Sequence, residues 1–291
     1  MNDTIAALKD SVGRYGIWSV GLRGGDPAGA GERAEAAAEL ERLGFGALWL
    51  GGNTSAEDAA PLIEATSRVV VGTSIQSIWE HEASATAARF AQLEVAHPGR
   101  FLLGLGVSHG PMVKGYEKPY STMVAHLNEL DRTGLPADRR VLAALGPKML
   151  ELSRDRAAGT IPYLVTPEHT AKARETLGDG PLLAPEFKVV LESDPARARA
   201  TARAYLANYL KLPNYTKNFL RLGFTDEDVT DGGSDRLIDA VFGWGDEDTI
   251  RRHVTEFLDA GADHVALQVV EDGPTTALPR EGWRRLAALL S

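Results

Sequence analysis

The sequence contains no cysteine among its 291 residues. Disulfide scaffolds, cysteine nucleophiles and thiolate zinc sites are therefore excluded, and the absence agrees with a reducing cytoplasm. The seven histidines show none of the close spacings, such as H-x-H or H-E-x-x-H, that bind metal ions. We therefore expect no resident metal.

Long apolar runs and excess positive charge are also missing. The longest apolar runs fall far below the ~20 residues that a spanning helix needs, and no basic segment followed by an apolar core opens the chain. Lys and Arg number 31 against 40 Asp and Glu, which gives a formal net charge of −9. Nucleic acids and anionic membranes both demand a positive surface. The sequence therefore predicts a cytoplasmic protein whose partner is a small molecule, with no nucleic-acid or membrane partner.

What the chain does have is length and apolar content. With 44% hydrophobic residues it can bury the core of one α/β barrel or of two smaller domains. No linker or compositional break divides it, so we predict one domain over residues 1–291.

Residues 69–110 predict a strand, a helix and a second strand. VVVGTSI is a short β-branched run, SATAARFAQLEVA has helical composition after a serine cap, and HPG ends that helix before FLLGLGV begins a buried strand. Parallel strands joined in this way carry their chemistry in the loops at their carboxyl ends. Function is therefore expected at residues 74–81 and 107–112.

The same alternation continues along the whole chain. Two long segments, 111–139 and 212–245, follow the fourth and seventh strands, as substrate-covering excursions or as irregular packing. Eight strands with intervening helices predict a (β/α)8 TIM barrel. The predicted strands are 14–20, 47–51, 69–75, 101–107, 140–145, 161–165, 187–192 and 264–270.

Residues 106–110 (GVSHG) match G-x-S-x-G, the nucleophile elbow of α/β-hydrolases. An elbow must open directly into a helix, whereas Gly110 and Pro111 interrupt the chain here. A serine hydrolase is therefore a remote alternative. A dinucleotide fingerprint is also missing, because Gly104-Leu105-Gly106 lacks the third glycine at the right offset.

Several blocks taken together resemble the luciferase-like monooxygenase superfamily, and most closely its deazaflavin (coenzyme F420)-dependent oxidoreductases. They are GTSIQSIWEH, HPGRFLLGLGVSHGP, VLAALGPKMLELSRDRAAG and WGDEDTIRRHVTEFLDAGADHVALQVV. The resemblance extends from about residue 14 to residue 270. It implies a bacterial-luciferase-like barrel that carries F420, or alternatively FMN, at its carboxyl end. It also implies a homodimer, which the alanine-rich stretches 34–38 and 83–91 would allow.

The resemblance also implies roles for residues at the third and fourth strand ends. Ser74 and Ile75 match a non-proline cis peptide behind the cofactor ring, and Ser77 matches a position that bonds the polar edge of the ring. The alternative for Ser74 is an ordinary capped strand end. Val107 and Ser108 match positions over or beside the ring.

His109 follows directly and matches a protonatable residue near the substrate. Histidine titrates near neutrality, so it can pass a proton while a hydride moves. The alternative is a histidine that only bonds the backbone.

Gly146, Pro147, Val165 and Thr166 match positions that hold the ribityl chain and phosphate of the cofactor. A helix start offers free N–H groups and a positive dipole end, so phosphate can bind there even in an acidic protein. The alternative for Thr166, which precedes a proline, is a simple helix cap.

One departure from the family concerns the end of the second strand. Many deazaflavin relatives carry an acidic residue followed by histidine, where this chain has Gly52 and Asn53. Asn53 can bond a carbonyl or the ring but cannot act as an acid or base. Trp18 and Trp79 lie near strand ends and can line a substrate pocket, although core packing explains them as well.

The predicted function is hydride transfer between deazaflavin and an unidentified small organic substrate. Two alternatives stay open beside it: an FMN-dependent monooxygenase, and a degenerate barrel that binds a cofactor without turnover. The second is motivated by Gly52 and Asn53.

Overall fold

The computed structural model describes residues 2–291, which contain eleven strands joined in one parallel sheet. They are β1 (Tyr15–Ser19), β2 (Ala47–Gly51), β3 (Val70–Ser74), β4 (Gln76–Ser77), β5 (Phe101–Gly106), β6 (Arg140–Leu142), β7 (Gly159–Thr160), β8 (Leu182–Leu183), β9 (Glu186–Val190), β10 (Phe242–Trp244) and β11 (Val265–Val269).

A single extended segment, residues 182–190, closes this sheet into a barrel. The strands lie in the order β10-β9-β11-β1-β2-β3-β5-β6-β7-β8, with β4 paired to β5. β8 pairs with β7 at one end of that order, while β9 pairs with β11 near the other. Only Ala184 and Pro185 separate β8 from β9. Pro185 has no N–H to donate, but its carbonyl accepts a 2.9 Å bond from Ala266 N. The predicted (β/α)8 barrel is confirmed.

Helices surround the barrel, and many begin with a local cap. Thr166, Asp194, Ser234 and Asp246 each accept a backbone N–H of the helix that follows them. The helices are α1 (Asn2–Val12), α2 (Ala30–Arg42), α3 (Ala56–Glu64), α4 (Ala83–Ala96), α5 (Pro119–Arg132), α6 (Pro147–Arg156), α7 (Pro167–Leu177), α8 (Pro195–Tyr209), α9 (Pro213–Arg221), α10 (Asp235–Val241), α11 (Glu247–Asp259) and α12 (Arg280–Leu290). Within residues 2–291, none is both long and apolar enough to cross a membrane.

Helix α1, which the sequence did not predict, packs on the barrel interior. Its Ile5, Leu8 and Val12 belong to one buried cluster with Trp49 and Leu102 from inside the barrel. The larger apolar cluster lies between the sheet and the outer helices. Because α1 covers the interior before β1 begins, the opposite, carboxyl-terminal end is the one left for a site.

The predicted strand 161–165 is wrong. Pairing in that part of the chain is limited to Gly159 and Thr160. Leu164 adopts a left-handed φ of 54°, which an extended strand does not permit. Ile161 N still donates to Leu142 O at 3.0 Å, and Glu186 N donates to Pro162 O at 2.9 Å. The chain therefore leaves the sheet after Pro162 and forms a loop at the barrel mouth. The strand predicted over 140–145 also ends early, at Leu142.

The two long segments differ in structure. Residues 111–139 contain α5, whose Met123, Leu127 and Leu130 are buried. Residues 212–245 contain α9, α10 and β10. Tyr215 of α9 packs in one apolar cluster with Leu206 of α8 and Val190 at the end of β9. Helices α8 and α9 thus roof the carboxyl end of the barrel beside β9.

Candidate functional site

The peptide bond between Ser74 and Ile75 is cis, as the resemblance implied, and both residues are half-buried at the end of β3. The loop after β2 holds this segment: Ile75 N donates to Gly52 O at 2.9 Å, and Thr54 N donates to Ile75 O at 3.0 Å. Gly106 faces it from β5, where an added Cβ would lie 2.8 Å from Ile75 Cγ1. The glycine is therefore required for close approach of the two strand ends.

Trp18 extends from β1 across the barrel mouth to the same strand end. Its indole Nε1 donates to Ser74 Oγ at 2.9 Å, and its ring centroid lies 5.0 Å from that of Tyr163. An added Cβ on Gly51 would lie 2.5 Å from Trp18 Cη2. The indole therefore fills the space that a side chain at the end of β2 would need.

Asn53 and Ser77 connect the two neighbouring loops. Asn53 Oδ1 accepts the backbone N–H of Ser77 at 2.8 Å. Ser77 is fully buried, and its Oγ accepts from Trp79 N at 3.4 Å. Trp79 Nε1 donates to Val107 O at 2.6 Å, which joins this loop to the end of β5. The cofactor and catalytic roles of Asn53 and Ser77 stay predictions.

His109 contacts helix α9. Its Nδ1 lies 3.0 Å from Asn214 Oδ1, and its ring centroid lies 5.3 Å from that of Tyr215. An amide oxygen only accepts, so Nδ1 carries the proton and Nε2 is left as an acceptor. Burial lowers the pKa of His109, although the hydrogen bond to Asn214 opposes this shift. His109 is therefore neutral at pH 7.

The context of Ser108 does not fit a hydrolase. Ser108 has a left-handed φ of 53°, but a short 3-10 turn, Gly110–Met112, follows, and α5 begins only at Pro119. A nucleophile elbow requires a helix directly after the serine and a histidine paired with it. His109 pairs with Asn214 instead.

Gly146 caps α6 at the same end of the barrel, with Pro147 exposed beside it. Arg221 of α9 reaches this position, since its Nη2 would lie 3.9 Å from a Cβ added to Gly146. That Nη2 donates to Asn218 Oδ1 at 3.1 Å. Among the described residues, the buried Asn218 Nδ2 has no hydrogen-bond partner. A guanidinium, a helix N-terminus and a residue with a spare buried donor therefore come together here.

Val165 and Thr166 are both buried. Thr166 Oγ1 accepts from His169 N at 3.3 Å and caps α7. This agrees with the alternative interpretation of Thr166 as a helix cap. Contact of either residue with a cofactor stays a prediction. His169 links this helix to the Gly146 loop, because its Nε2 lies 3.0 Å from Leu145 O.

The sequence reasoning missed a polar cluster inside the barrel mouth. Glu186 and Lys188 alternate along β9, so both point to one face, and Lys188 Nζ lies 2.6 Å from Glu186 Oε2. Burial lowers the pKa of Lys188 to about 8, although the neighbouring Glu186 carboxylate opposes this shift. Burial raises the pKa of Glu186. The sequence did carry a signal for this cluster, because Glu186 and Lys188 are charged residues two positions apart in an otherwise apolar strand.

Three tyrosines lie around this ion pair. Lys188 Nζ is 3.7 Å from the Tyr163 ring centroid. The Tyr163 hydroxyl lies 2.7 Å from that of Tyr205 and 3.0 Å from that of Tyr209. Gln268 completes the group, accepting from Tyr163 at 3.2 Å and donating to Tyr205 at 2.8 Å. Tyr205 and Tyr209 are four residues apart on α8, so they share a helix face.

A cleft opens beside this cluster between the ends of β1 and β11. It encloses about 490 Å³, including space open to solvent. Trp18, Tyr205 and Gln268 line it together with the loops that follow the two strands. It lies at the carboxyl-terminal end, where barrels place their chemistry.

Comparison with known proteins supports the sequence resemblance. Residues 14–132 match the family model described as luciferase-like monooxygenase. No curated protein matches the sequence.

Solved structures show the same fold over nearly the whole chain. An F420-dependent secondary alcohol dehydrogenase in complex with an F420–acetone adduct superposes with a TM-score of 0.72 at 13% identity, covering 96% of this chain and 99% of the other. A coenzyme F420-dependent tetrahydromethanopterin reductase from Methanopyrus kandleri gives 0.66 at 15% identity, with 94% and 97% covered.

A third neighbour was solved with FMN. It is the oxygenating constituent of 3,6-diketocamphane monooxygenase from Pseudomonas putida, which gives a TM-score of 0.70 at 11% identity, with 96% and 97% covered. The resemblance of this chain to the luciferase-like monooxygenase superfamily is therefore confirmed, by the family model over residues 14–132 and by the fold over almost its full length.

Proposed function

We propose that this chain is an oxidoreductase that binds F420, or alternatively FMN, at the carboxyl end of its barrel and acts on a small organic substrate. The observation that carries the proposal is the meeting of Arg221 and Gly146 beside the spare donor of Asn218. When bound, either cofactor supplies the hydride chemistry, and the protein supplies position and exclusion of water.

The residues around Gly146 fit the phosphate that both cofactors carry. The guanidinium of Arg221 suits bidentate contact with phosphate oxygens. Gly146 stands at the N-terminus of the ten-residue helix α6, where the positive end of the helix dipole favours an anion. Asn218 can donate from an Nδ2 that has no partner among the described residues. Together they offer a local site for an anion in a chain of net charge −9.

Four residues predicted to contact the ring lie partly exposed near the barrel mouth: Ser74, Ile75, Val107 and Ser108. His109 follows them, neutral and held by Asn214. We propose that Nε2 of His109 takes up or returns a proton at the substrate while a hydride moves. Asn214 fixes the tautomer that leaves Nε2 free for this role.

A second candidate is a barrel that binds a cofactor without turnover. Gly51, Gly52 and Asn53 follow one another at the end of β2. Trp18 fills the space above Gly51, and Asn53 Oδ1 accepts a hydrogen bond from Ser77 N. Because glycine has no side chain and an amide does not titrate, the end of β2 offers no acid or base. Under this proposal, no residue replaces the acidic residue and histidine that deazaflavin relatives carry at the end of β2. His109 then serves only to hold its loop against α9.

Titration of the purified protein with F420 and with FMN, followed by absorbance and fluorescence quenching, tests the proposal. We expect one cofactor to bind, and Arg221→Ala to weaken it about tenfold or more, as expected for a charged hydrogen bond. Arg42→Ala, an exposed arginine at the end of α2, is the matched control. Binding with substrate-dependent bleaching supports the enzyme, and binding without it supports the second candidate. If neither cofactor binds, both are wrong.

A further inference from the structure

We propose that the cleft between the ends of β1 and β11 binds a neutral, mostly apolar organic molecule through one carbonyl or hydroxyl oxygen. Tyr205 and Gln268 would hold that oxygen, and Trp18 would contact the apolar body. Neither His109 nor the residues predicted to contact the cofactor ring line this cleft. It is therefore a ligand site that stands on its own residues.

A hydrogen-bond network forms the polar end of the cleft, and the Tyr205 hydroxyl is the group in it that can reorient its proton. The Tyr205 hydroxyl contacts Tyr163 at 2.7 Å, Tyr209 at 3.1 Å and Gln268 Nε2 at 2.8 Å. Burial raises the pKa of Tyr163, Tyr205 and Tyr209, so all three stay protonated. Because three phenols share these contacts, Tyr205 can turn its proton to a ligand oxygen without leaving a neighbour unpaired.

Lys188 holds the tyrosine rings of this network in position. Its ammonium lies 3.7 Å from the Tyr163 ring centroid and within 5.6 Å of the Tyr205 ring centroid. A cation at this distance attracts the ring faces, and the bond to Glu186 holds the ammonium in place. The hydroxyl positions are therefore set before a ligand arrives, which lowers the cost of binding.

The other residues that line the cleft determine the charge and polarity of the ligand it can bind. Apolar contact comes from Trp18, Val20, Val270 and other residues of the two loops. Glu271 and Asp272 line the cleft as well, and no Lys or Arg is among its lining residues within the described chain. Carboxylates repel anions, and the arginines that accompany Glu271 and Asp272, Arg197 and Arg285, line the neighbouring cleft and not this one. The cleft therefore favours a neutral molecule.

Three ring compounds of similar size test these requirements: cyclohexanone, cyclohexanecarboxylate and methylcyclohexane. Binding to the protein without added cofactor would be followed by saturation-transfer NMR and by the indole N–H signal of Trp18, assigned with Trp18→Phe. We expect cyclohexanone to bind and to shift the Trp18 signal. The carboxylate and the hydrocarbon should bind more weakly, because one is repelled and the other cannot bond Tyr205.

Substitutions then locate the oxygen. Tyr205→Phe and Gln268→Leu should each weaken cyclohexanone about five- to thirtyfold, the effect of one hydrogen bond. Tyr120→Phe, on α5 and 42% exposed, is the matched control and should change nothing.

Three outcomes would overturn the proposal: no cyclohexanone binding, equal binding of all three compounds, or unchanged affinity in both cleft variants. Because this assay contains no cofactor, its failure leaves the F420 and FMN titrations unaffected. A negative cofactor titration likewise leaves the cleft assay intact.

Discussion

Trp18 Nε1 donates a 2.9 Å hydrogen bond to Ser74 Oγ and so joins the first and third strands across the barrel mouth. The same indole lies over Gly51, where an added Cβ would lie 2.5 Å from Cη2. The last residue of β2, Gly51, therefore has no room for a side chain, because a tryptophan from β1 occupies the space.

Gly51→Ala should destabilise the protein. The new methyl must displace the buried Trp18 ring and its bond to Ser74, and overpacking of this kind costs about 1–3 kcal/mol. Urea denaturation measures the loss. Gly180→Ala is the control, because no atom lies within 4 Å of its added Cβ. Equal stability of Gly51→Ala and wild type would show that the indole moves freely.

His109→Ala should reduce hydride transfer about 10²–10⁴-fold if the histidine is an acid or base, with little change in cofactor affinity. Coenzyme absorbance reports turnover, and fluorescence quenching reports binding. Asn214→Leu should reduce turnover less, because it removes the tautomer lock but keeps the ring. Unchanged turnover in His109→Ala would remove the acid–base role.

Unfolding free energy should fall as the pH is lowered, because of His264. This buried ring is satisfied only when neutral: Nδ1 donates to Gly13 O at 2.7 Å, and Nε2 accepts from Trp49 Nε1 at 3.0 Å. Burial lowers its pKa from 6.5 to about 4. The unfolded chain therefore binds a proton below pH 6.5 that the folded chain binds only near pH 4, and stability falls between these values by on the order of 2–3 kcal/mol.

His264→Gln isolates this contribution. Glutamine can keep both bonds without titrating, so the slope of unfolding free energy between pH 6.5 and 4 should be shallower than in wild type. A residual slope is expected from His126, whose pKa burial also lowers to about 4. Parallel curves for wild type and variant would contradict the assignment.

Lys188→Met should cost about 3–5 kcal/mol, because it leaves Glu186 buried without its cation. Adding Glu186→Gln should restore much of that loss, since no charge then remains inside the barrel. Denaturation of the single and double variants, with the exposed Lys148→Met as control, measures both steps. If the double variant were no more stable than the single one, the ammonium's packing on Tyr163 would be its main contribution.

We also predict a homodimer. Helix α4 leaves Ala85, Ala88 and Ala91 exposed on its surface, followed by Val95 at 85% exposure. Small residues allow a second helix to approach closely. Light scattering at micromolar concentration should give twice the mass of 31.2 kDa, and Val95→Glu should lower it. A monomer mass for the wild type would contradict the prediction.

The sequence by itself determined the alternation of strands and helices from β1 to β11, apart from elements such as α1 and β10, and it predicted that the chemistry lies at the carboxyl-terminal edge of the barrel. Apolar runs, proline starts and side-chain caps act within a few residues, so they can be found without the fold. The helix after Thr166 begins at Pro167, as the cap followed by a proline predicted, and its C-cap is Gly178. The same local pattern gave wrong bounds for residues 161–165, because Leu164 takes its left-handed conformation in a loop over the barrel mouth.

Only the tertiary structure decided which side chains meet. Trp18 and Ser74 are 56 residues apart, Tyr163 and Gln268 are 105 apart, and Arg221 reaches Gly146 from a different helix. No spacing rule links such pairs, because barrel closure through residues 182–190 and the roof of α8 and α9 bring them together. The sequence supplied each residue's chemistry, whereas long-range packing alone set the distances at which that chemistry acts.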